Sequence, residues 1–480
     1  MMPIFSRPAM GSLLARFELL KAPEYRWIWL LVAAGLFFAV RYWPIEAIPD
    51  EGQGALATFV VAVFLWSTNA VPMAVTGLAV LFLLPISGAL SHDATYAYFG
   101  NHAVFFILGA FILASPVMRS GLSTRLAIVI ISRFGQSQLH LVWSILWIAA
   151  LMSFVISEHA VVAMLFPIVI EIVRATGARP GSRFGVAAFL ALAWGAIIGG
   201  TATLLGGARA PLALGVLQQM TGKSVSFVDW MLACLPLVVV LLLLCMVLTR
   251  YMIRNESISL KKVDRYLKVK QKALGSISRR EVLTAGIMGL TVLLWVVYGQ
   301  QWGLDTIAFL GVLLMFVFQV VNWQEVEEDV NWGIFVMYGS AIALSAALRD
   351  TGMAEMITDQ MLTGWSVTPI LAFLMITILA MVLTEAMSNS AAVAVLMPVA
   401  LAMTVDLPIS AEGVTVGIAL SSGLAFLLPV STPALAIVAG SGFLRVTDVL
   451  KHGIILKFFG FIGFLLLSSY YWPLIGLGSG

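Results

Sequence analysis

Two short polar stretches interrupt long apolar runs and hold side chains suited to ion chemistry in this 480-residue chain. The first reads Ser157-Glu158-His159 and the second reads Ser388-Asn389-Ser390. Na⁺ is a hard cation that prefers oxygen ligands such as hydroxyls, amides and backbone carbonyls. Anions are bound by hydroxyls, amide N–H groups and helix N-termini. The two stretches therefore indicate binding of small ions or anionic solutes.

The two stretches belong to one internal repeat. Residues 157–167 and 388–398 are identical at six of eleven aligned positions, and the matches include the leading serine and the closing proline. Helix-packing preferences reproduce small apolar matches, but they do not readily reproduce a serine and a proline at the same separation. The repeat predicts two related halves, each with one polar tip.

Each polar tip is followed by a second interrupted apolar segment. The interruption lies within 199–214 in the first half and within 425–437 in the second. Gly, Pro and Thr at mid-membrane unwind a helix, and paired interruptions at corresponding positions are the best sequence pointer to a transporter binding site. We expect broken helices over 184–220 and 410–442; two ordinary kinked helices are the alternative.

The composition requires a membrane around these elements. Hydrophobic residues make up 61% of the chain and charged residues 11%, and apolar runs of about 20 residues, enough to cross a bilayer, recur along most of it. The runs 139–174 and 369–404 are paired stretches joined by the polar tips, which indicates re-entrant hairpins. We predict an all-α integral membrane protein with about eleven transmembrane helices plus two re-entrant hairpins in two inverted repeats.

Lys and Arg residues set the predicted orientation. If the N-terminus is cytoplasmic, the opposite side of the membrane keeps only Arg41, Lys223 and Arg349. This asymmetry satisfies the positive-inside rule. It predicts a multi-pass protein of the cytoplasmic (inner) membrane with its C-terminus on the opposite side.

The start of the chain lacks the pattern of a cleaved signal peptide, so we expect the first span to be retained. The basic segment 251–282 is either a cytoplasmic linker alone or also a contact for anionic membrane lipid.

At these motifs the chain resembles the divalent anion/sodium symporter (DASS) family of dicarboxylate, citrate and sulfate carriers. The family carries two Ser-Asn-Thr hairpin tips and two later Ser/Thr-Pro-Pro-Asn stretches, and residues 99–127 and 226–231 also look like it. The resemblance implies a homodimer whose transport domain moves against a scaffold as an elevator. The implied division is scaffold 1–134, transport 135–250, basic linker 251–282, scaffold 283–365 and transport 366–480.

The family's site residues carry over most completely onto the second repeat. By this similarity the second sodium site would use Thr384, Ser388, Asn389 and Ser431. The anion would contact Asn389, Ser390, Thr432 and Pro433. The first sodium site would use Ser153, Ser157 and the carbonyl of Gly206. The resemblance implies sodium, and no organic cofactor.

The first repeat departs from the family pattern. Glu158 stands where the family has Asn, His159 where it has Thr, and Gly207-Ala208-Arg209-Ala210 where it has Ser-Pro-Pro-Asn. Intramembrane ionisable groups cost about 2.5–3.5 kcal/mol each on insertion scales and are functional by default. We therefore include Glu158, His159, Gly207 and Arg209 among the substrate-binding candidates, and we expect Glu158 and Arg209 to pair.

Several roles remain open for these ionisable residues. In the preferred hypothesis the Arg209 guanidinium, or a proton, replaces the first sodium ion. In one alternative Glu158 is a sodium ligand and Arg209 binds the anion; in another Arg209 snorkels outward. His159 either shuttles protons near neutral pH or donates a fixed hydrogen bond.

Together, the motifs and the family resemblance predict a secondary active transporter of small organic or inorganic anions, dicarboxylate- or sulfate-like. The predicted transport is coupled to sodium at the second site. A cation-independent anion exchanger, or a carrier of a different small anion or zwitterion, is the alternative. An enzyme would need a nucleophile–base set or a metal motif, and neither is present. A channel would not need broken helices in inverted repeats. Nothing in the sequence indicates a nucleic-acid partner.

Overall fold

The computed structural model describes residues 26–43, 48–254, 256, 258–362 and 368–477. The basic segment 1–25, on which the predicted cytoplasmic N-terminus partly rests, lies outside the described residues. The helices are α1 Arg26–Tyr42, α2 Asp50–Thr68, α3 Met73–Ile86, α4 His92–Phe99, α5 His102–Arg119, α6 Leu122–Phe134, α7 Gln138–Ser153, α8 Glu158–Ala175, α9 Arg183–Gly199, α10 Arg209–Thr221, α11 Phe227–Ile253, α12 Lys261–Ala273, α13 Arg279–Trp302, α14 Leu304–Val317, α15 Trp323–Asp329, α16 Trp332–Asp350, α17 Met353–Leu362, α18 Pro369–Ala386, α19 Asn389–Asp406, α20 Ala411–Ser422, α21 Pro433–Ala439 and α22 Val446–Leu466.

Six helices within the described ranges are long and apolar enough to cross a membrane. They are α5, α11, α13, α16, α18 and α22 with the short turns that extend it to Ile475. Large apolar side chains such as Leu243 on α11 and Leu293 on α13 are exposed, as expected for helix faces that contact lipid. The prediction of an all-α membrane protein is confirmed, and the count of eleven spans stays a prediction.

The helices occur in the same order twice. One series runs from α2 to α11 and the other from α13 to α22. Each series begins with two helices, followed by a short helix, a longer helix and a second short helix. The two helices of a hairpin, the two helices of an interrupted segment and one closing helix complete it. The contacts are reciprocal, because α5 packs on α14 as α16 packs on α3, and α10 packs on α19 as α21 packs on α8. The second helix of each hairpin therefore lies against the interrupted segment of the other half.

The joints and interruptions lie close to the predicted positions. Helices α7 and α8 are joined by residues 154–157, and α18 and α19 by residues 387–388. The interruption between α9 and α10 covers 200–208. The interruption between α20 and α21 covers 423–432, so it begins just before the predicted stretch 425–437. The predicted linker 251–282 contains one further helix, α12, which packs on α6 and α8 through the buried Val263 and Leu267.

Helix α9 forms the centre of the first half. Every residue from Phe184 to Gly199 is buried, as expected for a helix that is apolar on all sides. It packs on α7 so closely that a Cβ at Gly195 would lie 2.3 Å from the Leu146 carbonyl oxygen. Small residues allow this approach of two helix backbones in a membrane. The placement of α7, and with it the first tip, therefore depends on a glycine in α9.

We expect Gly195→Ala to lower the free energy of unfolding by at least about 1–3 kcal/mol, because its methyl group would overlap the backbone of α7. Gly289→Ala on α13 is the matched control, since a Cβ there meets no atom within 4 Å. Thermal unfolding of both variants in detergent measures the difference. Equal melting midpoints would contradict the close packing.

Candidate functional site

The first tip is fastened to the interruption of its own half. Thr203 Oγ1 donates a hydrogen bond to the Phe154 carbonyl at 2.6 Å. The Glu158 backbone N–H donates to the Gly206 carbonyl at 2.9 Å. These bonds satisfy backbone groups that have no water to bind within a bilayer. They hold the interruption 200–208 beside the start of α8.

Glu158 and Arg209 form a buried ion pair at this tip. Arg209 Nη1 donates to Glu158 Oε2 at 3.1 Å, and the two side chains are 4% (Arg209) and 7% (Glu158) exposed. Two glycines make room for the pair: a Cβ at Gly200 would lie 3.1 Å from Glu158 Oε2, and one at Gly207 would lie 2.7 Å from Arg209 Nη1. The alternative in which Arg209 snorkels outward is therefore wrong.

Two polar atoms at the first tip are buried without a hydrogen-bond partner in the described part of the chain. They are Arg209 Nη2 and Ser153 Oγ. Buried polar atoms almost always have a partner, so each such atom is a candidate contact for a solute or an ion. A guanidinium N–H suits an anion, whereas a hydroxyl can bind a cation, an anion or water.

The Arg209 guanidinium also reaches the second half of the molecule. A Cβ at Gly423 would lie 2.7 Å from Arg209 Nε and 2.8 Å from Nη2. Gly423 is the first residue of the second interruption, directly after Ser422 at the end of α20. Arg209 therefore lies between the first tip and the second interruption. Sequence reasoning missed Gly423, whose signal was a glycine at the end of an apolar helix.

Oxygen atoms from three segments meet at the second tip. Thr384 Oγ1, on the last turn of α18, lies 2.7 Å from the Ser422 carbonyl oxygen. It also contacts Asn389 Oδ1 at the start of α19. Hydroxyl, amide and carbonyl oxygens are the ligand types that hard cations prefer. The donor set of the second tip therefore fits a sodium ion.

The remaining predicted residues lie at both tips and in the second interruption. Ser388 Oγ accepts from the Ala391 N–H and caps α19, and Thr432 Oγ1 accepts from the Leu435 N–H and caps α21. Ser157 Oγ lies 3.3 Å from His159 Nε2, and Ser390 Oγ lies 3.4 Å from Tyr338 Oη. Ser431 Oγ donates to the Leu428 carbonyl at 2.7 Å. Pro433 is exposed at the start of α21. Among the described residues, no hydrogen bond joins Ser390, Ser431 or Thr432 to Thr384.

Glu385 fastens the second interruption to its hairpin. Its carboxylate accepts from the backbone N–H groups of residues 426, 427 and 428. It also accepts from Lys457 Nζ at 2.6 Å. Phe154 takes the corresponding position in the first half and uses its carbonyl for the same purpose. Sequence reasoning grouped Lys457 with the cytoplasmic charges and missed this contact.

Comparison with known proteins places these features in a family context. Residues 25–477 match the family described as the sodium:sulfate symporter transmembrane region. A sodium-dependent dicarboxylate transporter of Staphylococcus saprophyticus, SdcS, is 29% identical over 435 residues, which cover 85% of this chain and 84% of that protein. SdcS of Staphylococcus aureus is 28% identical over 457 residues, covering 90% and 88%.

Two solved structures resemble most of the chain. MtrF of Neisseria gonorrhoeae, from a class of antimetabolite efflux pumps, matches with a TM-score of 0.59 at 12% identity and covers 91% of this chain and 96% of its own. The YdaH transporter of Alcanivorax borkumensis matches with a TM-score of 0.52 at 17% identity and covers 84% and 90%. At these identities the likeness shows the fold alone.

Removing one member of the Glu158–Arg209 pair should destabilise the protein more than removing both. Arg209→Gln or Glu158→Gln leaves a buried charge uncompensated, which we expect to lower the free energy of unfolding by about 3–5 kcal/mol. The double variant should recover a large part of this loss. Arg174→Gln is the matched control, because its pair with Glu171 is exposed and should contribute about 0–1 kcal/mol. Denaturation in detergent tests this, and strictly additive losses in the double variant would contradict the pairing.

Proposed function

Because the chain belongs to the sodium:sulfate symporter family, we propose that it is a secondary active transporter of small anions across the cytoplasmic membrane. The proposed cargo is dicarboxylate- or sulfate-like, and the proposed coupling ion is sodium at the second tip. Support comes from the sodium-dependent dicarboxylate transporters that match nearly the full chain. The observation that carries the proposal is the buried Arg209 guanidinium, paired through Nη1 and unpartnered at Nη2.

The proposed anion site lies between the two tips. Arg209 Nη2 would donate to a carboxylate or sulfate oxygen, because a planar guanidinium gives short, charge-assisted hydrogen bonds to such groups. Helices α8, α10 and α19 begin at Glu158, Arg209 and Asn389. Their N-termini carry partial positive charge that favours an anion. The negative charge of Glu158 is offset by its pairing with Arg209, so it does not repel the cargo.

In this proposal sodium binds only at the second tip. Thr384, Asn389 and the Ser422 carbonyl would be its ligands, with Ser388 and Ser431 nearby in the chain. The first tip differs from the second in charge. Arg209 is the first residue of α10, whereas Pro433 is the first residue of the corresponding helix α21. A cation beside Ser153 and Gly206 would face the guanidinium charge. We therefore propose that Arg209 takes the place of the first sodium ion.

One observation favours a second candidate. The buried Ser153 hydroxyl has no partner among the described residues, and Glu158 is a stronger cation ligand than the asparagine it replaces. In this candidate the first tip keeps its sodium ion and Arg209 serves the anion alone. Two further coupling modes are a proton carried by His159 and exchange without any cation. A substrate panel with sodium and pH gradients distinguishes them from sodium coupling.

The proposed transport movement is an elevator in a homodimer. The hairpins and interruptions would move as one transport domain, 135–250 with 366–480, against the scaffold, 1–134 with 283–365. The crossed packing of α10 on α19 and α21 on α8 supports a single moving unit, because it joins the two binding tips directly.

A substrate panel in proteoliposomes tests the proposed function. Succinate, sulfate, a sulfonate and a monocarboxylate are each offered with a sodium gradient, with a pH gradient and with neither. We expect saturable uptake of a dianion that requires sodium. Thr384→Val keeps the side-chain shape without the hydroxyl and should lose the sodium response. Uptake that is driven by acid pH without sodium, or by counter-substrate alone, would overturn sodium coupling.

Gly423→Ala should weaken substrate binding without removing any polar group. The added methyl would displace the Arg209 guanidinium, so we expect KM to rise about tenfold, which corresponds to about 1.4 kcal/mol, with little change in kcat. Gly286→Ala on α13 is the control, since a Cβ there meets no atom within 4 Å. An unchanged KM in a folded Gly423→Ala protein would argue against Arg209 as the anion contact.

A further inference from the structure

A charged cavity lies at the other end of α9 from the proposed anion site. It has a volume of about 450 Å³ and is lined by the start of α9, the last turns of α11 and the first turns of α22. Helix α9 runs from Arg183 in this cavity to Gly199 beside the first interruption. Since a helix rises 1.5 Å per residue, the two sites are about 25 Å apart.

Three cationic side chains line this cavity. They are Arg183 on α9, Arg254 after α11 and Lys451 on α22. None of the three makes an ion pair with another residue in the part of the chain that the structure describes. Three separate elements therefore bring positive charge to one concave surface, whose lining also includes the carboxylate of Asp448.

The acids near this cavity are already engaged with helix N-termini. Asp448 Oδ2 accepts from the Arg445 N–H at 3.0 Å at the start of α22. Glu256 Oε2 accepts from the Phe184 N–H at 2.8 Å at the start of α9. These two carboxylates stabilise the local backbone, and the cavity keeps an excess of positive charge.

Part of the cavity lining is apolar and comes from the membrane-spanning helices α11 and α22. Leu248, Met252 and Ile455 line it, and Tyr251 stands exposed at its edge. The next exposed apolar side chains along α11 and α22 are Val247 and Ile454. Both helices are long and apolar enough to cross a bilayer. The cavity therefore joins cationic side chains to the exposed apolar faces of two helices that are long enough to cross a bilayer.

We propose that this cavity binds the phosphate of an anionic phospholipid. The phosphate oxygens accept hydrogen bonds from Arg183, Arg254 and Lys451, and the acyl chains lie against the apolar faces of α11 and α22. Basic pockets between the ends of transmembrane helices are suited to anionic head groups. A soluble phosphate would use the same cations but would leave the apolar side without a contact, so the lipid is the occupant.

The test uses the purified full chain, depleted of lipid in detergent. Dioleoyl phosphatidylglycerol, dioleoyl phosphatidylcholine and inorganic phosphate are added separately, and the melting midpoint is measured. We expect a rise with phosphatidylglycerol that is at least twice the rise with either other addition. In Arg183→Gln/Lys451→Gln this rise should fall by half or more. Arg254→Gln carries the same test if the double variant does not fold.

The matched control is Lys270→Gln/Lys272→Gln on α12, which removes the same charge from exposed positions outside the cavity. This control should keep the full response to phosphatidylglycerol. Equal losses in both double variants would mean diffuse attraction to a basic surface and would overturn the site. An equal rise with inorganic phosphate alone would overturn the lipid as occupant. Lipid binding is measured here by the melting midpoint and not by transport. A failure of the lipid site is therefore distinguishable from a failure of the proposed transport function.

Discussion

Backbone groups that leave a helix inside a bilayer must find their partners within the protein, and this constraint shapes both halves of the molecule. In the first half the Phe154 carbonyl accepts from the Thr203 hydroxyl and the Gly206 carbonyl accepts from the Glu158 N–H. In the second half the Ser422 carbonyl accepts from the Thr384 hydroxyl, and the Glu385 carboxylate accepts from the N–H groups of residues 426, 427 and 428. Each interruption is thereby held beside its own hairpin tip. In our proposal the hydroxyls, the Arg209 guanidinium and the helix N-termini beside these bonds are the groups that contact a bound solute.

The two tips satisfy this constraint with different charges. The second tip is neutral apart from Glu385, whose charge is matched by Lys457 and three backbone N–H groups. The first tip holds a fixed cation, Arg209, against Glu158. A guanidinium and a sodium ion can each contact a bound anion, but only the mobile ion draws on a gradient. In our proposal the substitution therefore keeps anion recognition while it lowers the number of coupled ions.

Composition and repetition predicted the class of fold because both signals are local and repeated many times. The hairpins, the interruptions and the pairing of Glu158 with Arg209 were also predictable, since an isolated charge at membrane depth requires a partner. The contacts of Arg209 with Gly423, and of Glu385 with Lys457, were not. Each joins segments that are distant in the sequence, and neither glycine nor lysine is unusual in its own segment. Helix α12 was missed because a basic loop and a basic surface helix have nearly the same composition.

The most direct test of the central claim, that Arg209 stands in for one sodium ion, is the number of sodium ions moved with each substrate. Parallel uptake of radioactive sodium and substrate into proteoliposomes, at zero membrane potential, gives this ratio. The account predicts one sodium ion per anion and a sodium activation curve without cooperativity. A ratio of two or more with sigmoidal activation would contradict it, because the first tip would then hold sodium beside Arg209.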